Sequence, residues 1–99
     1  TVVTGDPTRS ARYIRRQGRG MGVICFDEYA DLFTEDCVVE RIGPAGDKGE
    51  QARRVFDALR AFDATDVTEI YAQCPDEAGL GLAVANRLKK AAGFHVVEV

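Results

Sequence analysis

The sequence is poor in the residues that build metal centres and covalent active sites. It has one histidine, His95, so no two-histidine metal site or His-Asp relay is expected, and we expect His95 to be structural, on an edge strand. Its three cysteines, Cys25, Cys37 and Cys74, are odd in number and lack Cys-x-x-Cys spacing, which indicates neither a disulfide framework nor a zinc site. Each lies in or beside a predicted strand, as a small buried hydrophobe does. This pattern is typical of a reducing compartment, and we expect a cytoplasmic location.

Long apolar runs are also missing. No segment approaches the roughly 18–20 apolar residues of a membrane span, and no basic segment precedes an apolar one as in a signal peptide. The formal net charge of −3 argues against free-standing nucleic-acid binding. Ninety-nine residues allow one domain. Because the chain lacks an initiator Met and its first residues already read as a strand, we expect it to be one domain of a longer chain.

Short apolar segments alternate with amphipathic segments along the whole chain. Strands are predicted at residues 1–3, 22–26, 37–42, 68–73 and 94–99. Helices are predicted at residues 7–17, 47–62 and 79–92, with a helical turn inside the loop at 27–36. Strands that alternate with helices favour parallel pairing, because parallel neighbours need crossover connections. The predicted fold is α/β: a small Rossmann-like three-layer sandwich with a mainly parallel five-stranded sheet and helices on both faces.

Two helices carry the clearest patterns. Asp47 and Glu50 resemble a capping box, with both carboxylates serving free amides of the first turn. One face of that helix is predicted to carry Ala52, Val55, Phe56, Leu59 and Phe62. The buried face of the last helix is predicted to carry Leu80, Val84, Leu88 and Ala91.

One candidate site lies at the start of the last helix. Gly79 and Gly81 follow a strand and open a helix, whose free N–H groups could hold a phosphate or carboxylate. A Gly-x-Gly pair without a following Lys-Ser or Lys-Thr is a weak motif, and close packing of helix on sheet accounts for the glycines equally well. An independent nucleotide- or anion-binding module therefore stays open as an alternative.

A second alternative is a small thiol enzyme that uses Cys74. This residue ends a strand just before a helix, a position that favours a thiolate nucleophile. The phosphatase pattern Cys-x5-Arg fails, however, because Leu80 stands where the arginine should be. Asp76 and Glu77 also place negative charge where an anionic substrate would bind.

Charge is distributed unevenly along the first half of the chain. The first helix region carries the cations Arg9, Arg12, Arg15, Arg16 and Arg19. An acidic stretch follows with Asp27, Glu28, Asp31, Glu35, Asp36 and Glu40. The pattern fits a solvated face, or else a dipolar surface that orients a partner domain or contacts RNA phosphates.

The second half of the chain contains three motifs: Ala52-x2-Val55-Phe56-x2-Leu59-Arg60-x2-Asp63, Ile70-Tyr71-Ala72, and Gly79-Leu80-Gly81-x-Ala83-x2-Asn86-Arg87-Leu88-x-Lys90-Ala91-Ala92. Over residues 50–93 the chain resembles the C-terminal domain of long-form threonylcarbamoyl-AMP synthases, which are YrdC-type proteins. The last motif is the most specific. The first half fits only in its strand–helix–strand rhythm, and the family's His-Tyr-Ala-Pro linker motif does not occur in this chain.

The resemblance implies an accessory role in tRNA modification. The parent enzyme would condense threonine, bicarbonate and ATP, with magnesium, into threonylcarbamoyl adenylate for tRNA threonylcarbamoyladenosine. Its catalytic YrdC-type domain would lie N-terminal to this chain and would be its main partner, with tRNA or tRNA-modification proteins reached through the parent. The resemblance carries no catalytic residue, cofactor or metal onto this domain, which is expected to dock on the catalytic domain and its linker.

Overall fold

The computed structural model describes residues 1–99 as one five-stranded sheet flanked by helices. The strands are β1 (Val2–Thr4), β2 (Gly22–Cys25), β3 (Val38–Arg41), β4 (Ile70–Gln73) and β5 (Val96–Glu98). Their order in the sheet is β3-β2-β4-β1-β5, and every neighbouring pair is parallel. The predicted mainly parallel α/β fold is therefore confirmed.

The helices cover both faces of the sheet. They are α1 (Pro7–Arg15), α2 (Lys48–Ala61) and α3 (Leu80–Ala91), with 3-10 turns at Asp27–Leu32 and Phe62–Ala64. Successive strand residues point to opposite faces. Val3 and Val23 accordingly pack with Ile14 of α1, whereas Val2 and Ile24 pack in the core formed with α2 and α3. None of the three helices is long and apolar enough to cross a membrane.

The predicted apolar face of α2 and the predicted buried face of α3 need correction. Phe56 is 45% exposed, and the buried residues of α2 are Gln51, Val55 and Ala58. Leu80 is 57% exposed, and Ala91 is also exposed. Leu80 and Ala91 are the first and last residues of α3, outside the packed middle of the helix, which buries Gly81, Val84, Ala85 and Leu88. Apolar spacing identifies an amphipathic face but not which apolar residues lie at its exposed edge.

The predicted capping box of α2 is half right. The Asp47 side chain accepts a hydrogen bond from the Glu50 N–H at 3.0 Å. The Glu50 carboxylate does not reach back to the Asp47 N–H, which donates instead to the Pro44 carbonyl at 3.0 Å. Glu50 accepts from Arg53 and Arg54 on the next turn, because cationic partners at i+3 and i+4 are within its reach.

The last predicted strand is shorter than expected and does not include His95. β5 begins at Val96, because Phe94 adopts a positive φ of 62° and breaks the extended conformation. His95 lies exposed before the strand, where its Nδ1 is 2.9 Å from the Thr1 hydroxyl.

A buried amide side chain, Gln73, joins the sheet to α1. Its Oε1 accepts from the Phe26 N–H at 2.9 Å, and its Nε2 donates to the Pro7 carbonyl at 2.9 Å and the Ser10 hydroxyl at 3.2 Å. Gln73 is fully buried. This network fixes the ends of β4 and β2 against the first turn of α1, because each buried polar group finds a partner in it.

Candidate functional site

The β4–α3 junction holds the two glycines predicted as an anion site. Gly79 is the N-cap of α3, with φ 56° and ψ −129°, a conformation that favours glycine. Gly81 lies where α3 approaches the preceding loop: a Cβ there would be 2.0 Å from the Asp76 carbonyl oxygen and 3.1 Å from Lys48 Cε. Close packing is therefore a sufficient reason for glycine at position 81.

Most polar groups of this junction already have partners within the chain. The Gly81 N–H donates to the Ala78 carbonyl at 3.0 Å. Lys48, at the start of α2, donates to the Asp76 carboxylate and, at 3.0 Å, to the Ala78 carbonyl. The hydrogen bond from Lys48 lowers the pKa of Asp76, so this exposed carboxylate is ionised at neutral pH and disfavours a second anion beside it. An anion site at Gly79 and Gly81 stays a prediction.

Cys74 lies at the end of β4 in a cavity of about 540 Å³ that Glu77, Lys89 and Glu98 also line. Burial raises the pKa of its thiol to about 11, an effect that the Lys89 charge opposes and the Glu77 charge reinforces. A nucleophilic cysteine needs a lowered pKa, so this environment disfavours the thiol-enzyme alternative. The Cys25 thiol is also buried, with its pKa raised to about 12.

An exposed apolar surface lies between α2 and α3. A groove of about 360 Å³ between the two helices includes Ala52, Phe56, Ala83, Asn86, Arg87 and Lys90 in its lining. The Arg87 guanidinium stacks 4.2 Å from the centre of the Phe56 ring. Leu80, Ala83 and Arg87 are three and four residues apart and share one side of α3. We call Phe56, Leu80, Ala83 and Arg87, together with the groove, the α2–α3 surface.

This surface combines features of a protein-interaction site. Phe56 and Leu80 are exposed by about half of their area, beside charged groups. Exposed apolar side chains that cluster within a polar rim often mark interaction sites, whereas single scattered ones are ordinary on protein surfaces. Sequence reasoning placed Phe56 on the apolar face of α2 and Leu80 on the buried face of α3, so the exposed surface was missed. The available signal was that α2 has more apolar positions than one buried stripe needs.

The arginines of the first helix region divide into two groups. Arg15 donates to the Leu32 carbonyl at 2.6 Å, and Arg19 lies 3.8 Å from the Asp36 carboxylate. These two side chains attach the helix region to the acidic segment that follows β2. Arg9, Arg12 and Arg16 form no salt bridge and no side-chain hydrogen bond.

Fold and surface together define a class: a parallel α/β domain with an exposed apolar helix pair and no cluster of three or more His, Cys, Asp or Glu that could hold a metal ion. Comparison with known proteins gives the family. The model of the threonylcarbamoyl-AMP synthase C-terminal domain, Sua5_C, matches residues 2–93. The chain belongs to this family.

Relatives of known sequence and structure agree. The chain is 35% identical over 100 residues to the threonylcarbamoyl-AMP synthase of Bacillus subtilis (strain 168), covering 98% of the chain and 29% of that relative. It is 39% identical over 87 residues to the Pyrococcus abyssi enzyme, covering 86% of the chain and 23% of the relative. A structure of a doubly substituted P. abyssi Sua5 matches with a TM-score of 0.80 and 36% sequence identity. The match covers 99% of the present chain and 28% of the Sua5 chain. A structure of P. abyssi Sua5 complexed with L-threonine matches with a TM-score of 0.65 and 28% sequence identity. The match covers 99% of the present chain and 29% of the Sua5 chain.

Proposed function

We propose that this chain is a non-catalytic accessory domain of an L-threonylcarbamoyladenylate synthase, and that its α2–α3 surface docks on the catalytic domain. Exposure of Phe56 and Leu80 on one side of the helix pair is the observation that carries the proposal. Seven large apolar residues are exposed, and Phe56 and Leu80 are the two that lie with a groove on one side of the helix pair. Clustered exposure of this kind makes them available to a partner.

The partner we propose is the remainder of the parent synthase. The chain spans less than a third of the length of the curated relatives it matches. A domain of this family therefore occurs beside a much larger piece of the same polypeptide. Docking within one chain needs only a modest interface, because covalent connection gives the two domains a high effective concentration. A groove of about 360 Å³ lined by Phe56, on the side of α3 that also carries Leu80, suits such a contact.

In this proposal the chemistry belongs to the parent's YrdC-type domain. That domain would bind threonine, bicarbonate and ATP with magnesium, and its product would supply tRNA threonylcarbamoyladenosine. Other tRNA-modification proteins would be reached through the parent. The three free cysteines, none in a disulfide, fit synthesis in the reducing cytoplasm.

The mechanism we propose is conformational. A domain docked beside the catalytic cleft would hold the connecting linker over the cleft, and closed segments of this kind keep water and reactive intermediates apart. The expected consequence is retention of the hydrolysable adenylate until it is handed on. Cavity groups such as Cys74 and Glu77 take no part in this mechanism.

The test uses the full synthase with two exposed residues changed, Phe56→Ser and Leu80→Ser. The matched control is Leu82→Ser. Leu82 is 44% exposed but lies two residues along α3 from Leu80, on a different side of the helix. We expect the double variant to release more free adenylate per pyrophosphate formed, whereas the control releases as much as the unmodified enzyme. Both ratios are measured by chromatography under single-turnover conditions.

An unchanged ratio in the double variant would contradict the proposed docking surface. Equal leakage from the control and the double variant would also contradict it, because the effect would then not be specific to the α2–α3 surface.

A further inference from the structure

Unpaired positive charge is concentrated on one face of α1. Of the thirteen Lys and Arg side chains, seven form salt bridges: Arg19, Arg41, Lys48, Arg53, Arg54, Arg60 and Lys89. Arg15 is hydrogen-bonded to a carbonyl and Arg87 stacks on Phe56. Only Arg9, Arg12, Arg16 and Lys90 have no partner, and three of these four belong to the α1 region.

The three arginines face the same way. Arg9, Arg12 and Arg16 are separated by three and four residues, which places them in a row along one side of the helix. Arg16 is the C-cap and keeps helical dihedrals, so the row continues past the end of α1. With Tyr13 and Val99 they line a shallow depression of about 280 Å³. We call Arg9, Arg12, Tyr13 and Arg16 the arginine face.

The nearest acidic residue of the helix does not neutralise this face. Asp6 accepts a hydrogen bond from the Arg9 N–H as the N-cap, and its carboxylate forms no salt bridge. The net charge of −3 conceals this local excess, because the acidic residues that produce it lie elsewhere, several of them already paired with other cations. Three neighbouring guanidinium groups that form no salt bridge repel one another, and an array of anions would relieve that repulsion.

We propose that the arginine face binds the phosphodiester backbone of a nucleic acid. Guanidinium groups match phosphate oxygens in a planar, bidentate geometry, and they remain charged at any physiological pH. A row of three guanidinium groups along a helix matches successive phosphates of one nucleic-acid strand better than it matches a single compact anion. The half-buried Tyr13 ring beside them is of the kind on which unpaired bases stack.

The experiment measures binding of the 99-residue chain to a fluorescent single-stranded RNA and to DNA of the same sequence. Three contacts of this kind give weak binding, with a dissociation constant on the order of 10⁻⁴ M at physiological salt. The logarithm of the binding constant should fall with the logarithm of salt concentration with a slope of about −2, near 0.7 per neutralised phosphate. RNA binding without DNA binding would identify RNA as the ligand, and equal binding would identify the backbone shared by both.

Two triple variants with the same change in net charge provide the specificity test. Arg9→Gln, Arg12→Gln and Arg16→Gln should weaken binding at least tenfold and remove most of the salt dependence. The control, Arg53→Gln, Arg60→Gln and Lys90→Gln, changes exposed cations of α2 and α3 and should alter affinity by less than threefold. Circular dichroism checks that both variants are folded.

Two results would overturn the proposal. The first is absence of binding to either the RNA or the DNA strand at about 50 mM salt, a concentration low enough for phosphate contacts to be strong. The second is equal weakening by the two triple variants, which would mean that overall charge and not the arginine face controls binding. Binding of an acidic protein to the arginine face, with no binding of nucleic acid, falls under the first result.

Discussion

Two glycines occupy the same position in two helices, and we predict that alanine has opposite effects at them. Gly49 is the second residue of α2 and Gly81 the second residue of α3. Alanine is favoured over glycine in a helix by about 0.5–1 kcal/mol. Helix propensity alone therefore predicts that Gly49→Ala and Gly81→Ala both stabilise the protein.

The surroundings of the two positions differ. A Cβ at Gly49 meets only Asp47 Oδ1, at 3.6 Å, which is ordinary contact. A Cβ at Gly81 would lie 2.0 Å from the Asp76 carbonyl oxygen, a backbone atom that cannot rotate away. Forcing extra volume into a packed site costs about 1–3 kcal/mol. Gly49→Ala should raise the free energy of unfolding by about 0.5 kcal/mol, and Gly81→Ala should lower it by about 1–2 kcal/mol.

Urea unfolding followed by circular dichroism measures both values, with Gly46→Ala as a further control. A Cβ at Gly46 has no neighbour within 4 Å and this glycine has no positive φ, so the change should stay within about 0.5 kcal/mol of zero. In a domain of this size a 1 kcal/mol change shifts the melting temperature by roughly 4–8 °C. Stabilisation by both Gly49→Ala and Gly81→Ala would refute the packing explanation for Gly81.

Three further predictions concern buried groups. Gln73→Leu leaves the Phe26 N–H without its acceptor and should lower the free energy of unfolding in urea by about 2–3 kcal/mol. A loss below about 0.5 kcal/mol would contradict the stabilising role of this hydrogen-bond network. Alkylation of Cys74 by iodoacetamide should accelerate only above about pH 9, because its pKa is raised to about 11; a fast reaction at pH 7 would contradict this burial. Burial raises the pKa values of the Cys25 and Cys74 thiols, so these thiols lose their protons at a lower pH in the unfolded chain than in the folded one. The free energy of unfolding should therefore fall between about pH 9 and 12, and Cys74→Ala should make that fall shallower.

Local signals in the sequence predicted the element types well. The helix predicted at residues 7–17 corresponds to α1, whose start suits Asp6 as N-cap and Pro7 as first helical residue, and the Asp6 carboxylate accepts from the Arg9 N–H at 3.1 Å. The apolar run before Asp27 predicted β2, a strand buried on both faces. Strand–helix alternation predicted the parallel sheet, but not the order β3-β2-β4-β1-β5, which depends on contacts between distant parts of the chain.

The candidate site was harder to predict, because exposure depends on how two helices pack. Phe56 and Val55 are adjacent apolar residues of α2, yet Val55 is buried and Phe56 is 45% exposed. Only the position of α3 beside α2 determines which of them is covered. Gln73 was missed for a related reason: its partners are 47 to 66 residues away in sequence.

The most direct test of the central claim compares the amide NMR spectrum of this domain alone with its spectrum inside the full synthase, where only the domain is isotope-labelled. Because the covalent connection is kept, weak docking is not lost. Docking by the α2–α3 surface predicts shifts at Phe56, Leu80 and Arg87, with the amides of α1 unchanged. Superimposable spectra, apart from residues next to the junction between the domains, would contradict docking. Shifts confined to the arginine face would contradict the assignment of docking to the α2–α3 surface.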